Sequence, residues 1–126
     1  MFERLKSSAV EAAAERIAPH VKRTRLVLSK GLGELAGGDV YLKLENEQIT
    51  GSYKPRGALN ALSLLSESQR RKGVVASSAG NHGMGVATAA KTLGINAKIY
   101  VPRTAPQVKK QGIRSLGAEV VEGQPD

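Results

Sequence analysis

The chain has 126 residues and 40% hydrophobic content, which is enough for one domain with a core or for part of a larger one, and too apolar for a disordered chain. Its net charge of +8 raises the question of a nucleic-acid partner, but the basic residues are scattered and almost no aromatic side chains interleave them to stack on bases. Cysteine is absent, which excludes disulfides and thiolate metal sites, and neither an apolar leader nor a run of membrane-spanning length is visible, so a cytoplasmic protein is expected.

With one Phe, three Tyr and no Trp, the core has to be built from Val, Leu, Ile and Ala. Ser8 and Glu11 have capping-box spacing, and the Ala-rich stretch after them predicts a helix that ends before Pro19. Arg25 to Leu28 is a short extended segment, and the glycines from Gly31 to Gly38 mark an irregular or short helical link. Residues 40–45 alternate apolar and polar side chains, the pattern of a strand with one buried face. Ser52 is placed to cap a helix in which Ala58, Leu59, Leu62 and Leu65 share a face, with Pro55 tolerated in its first turn. A strand at 73–77, a helix from about His82 to Leu93 stopped by Gly94, and a strand at 97–101 follow. Thr104 is placed to cap a helix to about Leu116, and a last strand covers 118–121. From Ser52 the order is α-β-α-β-α-β, which predicts an α/β fold with a helix-covered parallel sheet in three layers and right-handed crossovers. The chain ends soon after a strand that no further helix covers, so a continuation is expected.

Residues 50–60, T-G-S-Y-K-P-R-G-A-L-N, put two cations where a helix begins. A helix N-terminus carries about half a positive charge, which disfavours an ammonium there, and Arg56 adds another charge close by. A solvated lysine is the commoner fate of this residue type. The setting of Lys54, however, pushes toward a neutral amine, the form that attacks carbonyls and forms Schiff bases. Glu45 and Glu47 are the nearest acids in sequence.

The second stretch, S-S-A-G-N-H-G-M-G at 77–85, follows a strand and opens a helix, a turn that aims backbone N–H groups at an anion. Gly80, Gly83 and Gly85 remove Cβ atoms where a ligand or backbone has to come close. The spacing G-x-x-G-x-G differs from the dinucleotide fingerprint, which argues against a nicotinamide cofactor; a ligand-free glycine turn is the plain alternative. His82 at a helix start is more often a structural group than a catalyst. His20 has no chemistry around it, and two distant histidines make no metal site.

Together the two stretches resemble the fold-type II pyridoxal-phosphate enzymes, in particular the threonine/serine dehydratase and serine racemase group. T-R-L at 24–26, V-Y-L-K-L-E-N at 40–46, A-K-I-Y-V-P-R-T-A-P at 97–106 and S-L-G-A-E-V-V at 115–121 extend the resemblance over nearly all of the chain from about residue 20. The resemblance implies a tryptophan-synthase-β-like fold, incomplete in this chain. Residues 1–52 would contribute the start of the large cofactor domain, and residues 53–126 most of the small α/β domain. It implies pyridoxal 5′-phosphate as cofactor, with Lys54 as the Schiff-base lysine and Asn81 bonded to the pyridoxal 3′-oxygen. The turn Ser78, Ala79, Gly80, Asn81 and His82 would hold the substrate carboxylate.

Tyr53 stands where the family usually has phenylalanine, and Arg25 replaces the proline of Thr-Pro-Leu. Ala79 occupies the position where racemases of the group carry a serine, so dehydratase chemistry is preferred over racemisation. No glycine-rich phosphate loop follows residue 121. The expected function is β-elimination of L-threonine or L-serine to a 2-oxo acid and ammonia, as the N-terminal portion of such an enzyme. The alternative is a truncated non-catalytic fragment, a pseudoenzyme or a split subunit. The expected partners are a small amino acid, with no nucleic acid and no membrane, and either further copies of the chain or a complementing chain at the exposed last strand.

Overall fold

In a computed structural model, residues 6–78 and 80–123 are described. Helix α1 (Ser7–Ile17) runs into a single 3-10 turn at Ala18–His20 that contains Pro19. Its N-cap is Lys6 and no side chain caps it, so the Ser8/Glu11 box does not form; Ser8 already lies inside the helix. Strand β1 (Leu26–Leu28) pairs antiparallel with β2 (Tyr41–Lys43), in a register that sets Leu26 opposite Lys43 and Leu28 opposite Tyr41. The helix between them, α2 (Lys30–Ala36), is capped by the Ser29 hydroxyl and closed by Gly37 in the left-handed conformation at φ 70°. The expected buried face on residues 40–45 is not observed. The antiparallel pair is three residues long and both faces stay open, with Tyr41 56% and Leu42 38% exposed.

A 3-10 turn at Glu45–Glu47 leads to α3 (Lys54–Ser63), which begins one residue later than a Ser52 cap requires. Tyr53 is the N-cap residue, while Ser52 is buried with its hydroxyl 3.4 Å from that of Thr50. A short helix not anticipated from the sequence, α4 (Glu67–Lys72), follows with a complete Ser66/Gln69 capping box. That signal was present in the residues, in a stretch too polar to show an apolar helical face.

Strands β3 (Val74–Ser77), β4 (Ala97–Pro102) and β5 (Glu119–Gly123) form a parallel sheet in the order β3-β4-β5, with Val74 beside Ala97 and Lys98 beside Glu119. Helix α5 (Asn81–Leu93), ending at Gly94 with φ 66°, connects β3 to β4. Helix α6 (Gln107–Ser115) connects β4 to β5. Pro106, not Thr104, occupies the N-cap of α6, because its extended backbone sets the helix start two residues later. The α-β-α-β-α-β order and the parallel pairing thus agree with the expected α/β class.

The core is entirely aliphatic. Ile99 of β4 and Ile113 of α6 are fully buried and meet at α5, where Gly83 leaves room for both: a Cβ there would lie 3.2 Å from each. Along β4, Ala97, Ile99 and Val101 point into this core, while Lys98 and Tyr100 lie on the more open face. On its other side α5 packs against α3, the main helix–helix contact of the molecule, where Gly85 abuts Lys54 and Val86 shares a cavity with Ala58, Ala61 and Leu62. Lys110 is buried rather than solvated. Its ammonium donates to the Arg103 carbonyl at 2.9 Å and to Glu122 at 2.8 Å, and Arg114 reaches the other oxygen of that carboxylate at 3.1 Å. This cluster ties α6 to the end of β4 and to β5, and satisfies a charge that could not otherwise be buried. Among the described residues no helix is long and apolar enough to cross a membrane, and no cluster of His, Cys, Asp or Glu could hold a metal ion.

Candidate active site

Lys54 is the first residue of α3, and Pro55 behind it is almost fully buried. The position of Lys54 is set by the packing of α5. At Gly85 an added Cβ would lie 3.0 Å from both the carbonyl carbon and the Cβ of Lys54. Glycine permits that approach without displacing the Lys54 backbone. Lys54 and His82 then line one cavity of about 310 Å³, with Ala58, Ala61, Leu62 and Val86 as apolar walls. The Lys54 ammonium sits 5.0 Å from the centre of the Tyr53 ring, a cation–π arrangement. A larger apolar groove of about 540 Å³ lies between α1 and α3, but neither Lys54 nor His82 borders it.

The turn between β3 and α5 supplies the other sequence-selected residues. Ser78 continues the sheet through its N–H to the Tyr100 carbonyl at 2.9 Å, and its hydroxyl accepts from the Gly80 N–H at 3.2 Å. Gly80 is the N-cap of α5 and no side chain caps the helix. The first turn of α5, with Asn81 and His82 exposed at its start, therefore presents uncapped backbone N–H groups, the arrangement that receives an anion. Ala79 lies outside the described residues. The structure brings Lys54 and His82 to one cavity; Ser78, Gly80 and Asn81 lie at the adjoining helix start and do not line it.

The electrostatics differ from the sequence expectation. Arg56 does not act on Lys54 as a free second charge, because Glu45 takes its guanidinium in a two-pronged ion pair, with Nε to Oε2 at 2.8 Å and Nη2 to Oε1 at 2.7 Å. Neither Glu45 nor Glu47 is paired with Lys54, since Glu47 binds Arg25. The Arg56 hydrogen bonds hold the Glu45 carboxyl down at about 2, helped by a 2.6 Å hydrogen bond from Thr24 and opposed by partial burial. Sequence reasoning missed this pair, which spans eleven residues and depends on the turn at Glu45–Glu47.

Residues 17–126 match the family model described as pyridoxal-phosphate dependent enzyme. The chain belongs to that family. It is 49% identical to a catabolic L-threonine dehydratase of Staphylococcus aureus over 113 residues, which is 89% of this chain and 33% of that protein. It is 54% identical to an L-threonine ammonia-lyase of Thermotoga maritima over 101 residues, which is 80% of this chain and 25% of that protein. The crystal structure of serine racemase from Dictyostelium discoideum superposes with a TM-score of 0.91 at 37% identity, covering 97% of this chain and 40% of that one. The chain therefore spans a quarter to a third of the length of these two curated relatives.

The family cofactor is pyridoxal phosphate, and the described residues fit its reactive end. A primary amine opens on an apolar-walled cavity beside uncapped helix amides, a donor set suited to an aldehyde next to an anion.

Two consequences can be measured. Gly85→Ala should destabilise the fold by about 1–3 kcal/mol, despite the roughly 1 kcal/mol that alanine normally adds to a helix, because the new methyl meets backbone. Gly57→Ala, with open space at its Cβ, should be neutral or stabilising; urea titration of both variants separates the two cases. The folded-state value for Glu45 is depressed, so its contribution is fully present above the ordinary carboxyl value of 4.5 and is lost as pH falls toward about 2. Allowing for partial exposure, the loss is about 2 kcal/mol. Unfolding curves at pH 6 and pH 3 should show it in the native chain, and Glu45→Gln should reduce it.

Proposed function

We propose that this chain carries the amine-bearing part of a pyridoxal-phosphate-dependent β-elimination that converts L-threonine or L-serine to a 2-oxo acid and ammonia. The single observation that carries this reading is the placement of Lys54 by Gly85 at the mouth of a cavity that adjoins the uncapped start of α5. Residues 1–52 would belong to a large cofactor domain and 53–126 to a small domain.

The bound cofactor would supply an aldehyde for the lysine and an electron-withdrawing ring to take up the charge left at the substrate α-carbon. Lys54 Nζ would hold the cofactor and then take the proton from the substrate α-carbon. The side-chain amide of Asn81 would orient the ring through its 3′-oxygen. The turn from Ser78 through Ala79, Gly80 and Asn81 to His82 would grip the substrate carboxylate with backbone N–H groups. Ala58, Ala61, Leu62 and Val86 would keep water from the lysine, favouring proton transfer to and from carbon over leakage to solvent. Threonine is the first choice of substrate, supported by the two relatives named for threonine chemistry. Racemisation is less favoured, because Ala79 has no group to act as a second acid or base.

A second reading has a specific support. Since the chain spans a quarter to a third of its curated relatives, a complementing chain that supplies further cofactor contacts fits equally well with the same site. Adding pyridoxal phosphate to the purified chain should produce an imine absorbance band that Lys54→Ala lacks, with ammonia release from threonine exceeding that from serine. Equal spectra for the two proteins would remove Lys54 from the chemistry; a band without ammonia would favour the complementing-chain reading.

A further inference from the structure

The first turn of α3 is gripped by a polar knot for which the chemistry above has no use. Besides its two bonds to Glu45, the Arg56 guanidinium donates to the Lys22 carbonyl at 3.1 Å. The Lys22 backbone is bracketed by Gln48, whose side-chain oxygen accepts from the Lys22 N–H at 2.9 Å while its amide nitrogen donates to the same Lys22 carbonyl at 2.9 Å. Thr24 donates to Glu45 at 2.6 Å, and its own carbonyl accepts from the Lys43 ammonium at 2.5 Å. Thr24 and Gln48 are buried, at 6% and 4% exposure. One carboxylate thus joins the segment at 22–24, the turn at Glu45–Glu47 and the start of α3.

Helix stability does not explain this arrangement. A cation in the first turn opposes the helix dipole, and a lysine or glutamine would fill the site with less demand on its neighbours. A guanidinium held at both prongs by a carboxylate fixes orientation as well as distance. Arg56 lies two residues after Lys54, about 200° around the helix axis at 3.6 residues per turn. The pair therefore grips the side of the turn away from Lys54, while Gly85 of α5 abuts the Lys54 backbone directly.

We propose that the Glu45–Arg56 pair is a positioning device for the Lys54 amine: it seats the first turn of α3 against α5 so that the amine stays at the cavity. This rests on the reading of Lys54 as the residue that condenses with the cofactor. The device acts through the backbone, so its removal should lower the selectivity of the lysine for an aldehyde without unfolding the chain.

The test uses the full chain treated with pyridoxal phosphate and borohydride, followed by peptide mapping. The label at Lys54 is divided by the label at exposed Lys72 in the same molecules. Measurements are made well below the unfolding midpoint of each variant, so that loss of stability alone does not change the ratio. Arg56→Lys keeps the charge but loses the fork, and Glu45→Gln keeps the shape but loses the charge. Both should lower the ratio roughly tenfold, the scale expected when a reacting group is misplaced by a fraction of an ångström. Should Glu45→Gln fail to fold, Arg56→Lys decides alone. An unchanged ratio in the variants, with the native chain labelled at Lys54, overturns the positioning role and leaves the proposed function standing. A native chain unlabelled at Lys54 overturns both.

Discussion

The close approach of α5 to the first residue of α3 is the constraint on which the site depends. Even an alanine methyl at position 85 would stand only 3.0 Å from the Lys54 backbone and require it to give by a few tenths of an ångström. Gly83, two residues earlier, performs the corresponding service on the sheet side, where Ile99 and Ile113 fill the space a Cβ would need. One helix thus faces two ways. It is anchored in the aliphatic core through Gly83 and presses on the amine-bearing turn through Gly85. Glycines weaken a helix intrinsically, so their presence in α5 is explained by these contacts rather than by local preference.

Charge at the start of α3 follows the same logic of placement. Two cations at a helix N-terminus are unfavourable if both are free. The fold separates their fates: Arg56 is matched by Glu45, which also accepts from Thr24, on one side, and Lys54 is left beside the Tyr53 ring on the other. A cation over an aromatic face is stabilised without a carboxylate. The lysine therefore keeps an amine that no described carboxylate engages, next to helix amides suited to an anion.

Much of this was legible in the residues. Alternation of strand and helix signals gave the order and parallel pairing of β3, β4 and β5, and Gly94 and Gly117 marked helix ends where the chain adopts positive φ. The glycine pattern at 80, 83 and 85 pointed to close approach, which the structure realises at Gly83 and Gly85, while a Cβ at Gly80 would meet nothing. Helix starts were less legible. Ser8, Ser52 and Thr104 all had capping side chains, yet backbone geometry at Lys6, Tyr53 and Pro106 set the boundaries. The buried Lys110 and the Glu45–Arg56 pair were hidden for a different reason: each needs a partner from another element, and local sequence carries no signal for such a meeting. The motif stretches at 50–60 and 77–85 indicated which residues to watch, but their meeting across the α3–α5 contact is a property of packing.

The most direct measurement of the central claim is a crystal structure of the chain grown with pyridoxal phosphate. Continuous electron density from Lys54 Nζ to the aldehyde carbon of the ring, with Gly85 still against the Lys54 backbone, is the expected result. A ring attached to another lysine, or Lys54 folded over Tyr53 beside a cavity holding no cofactor, would contradict it.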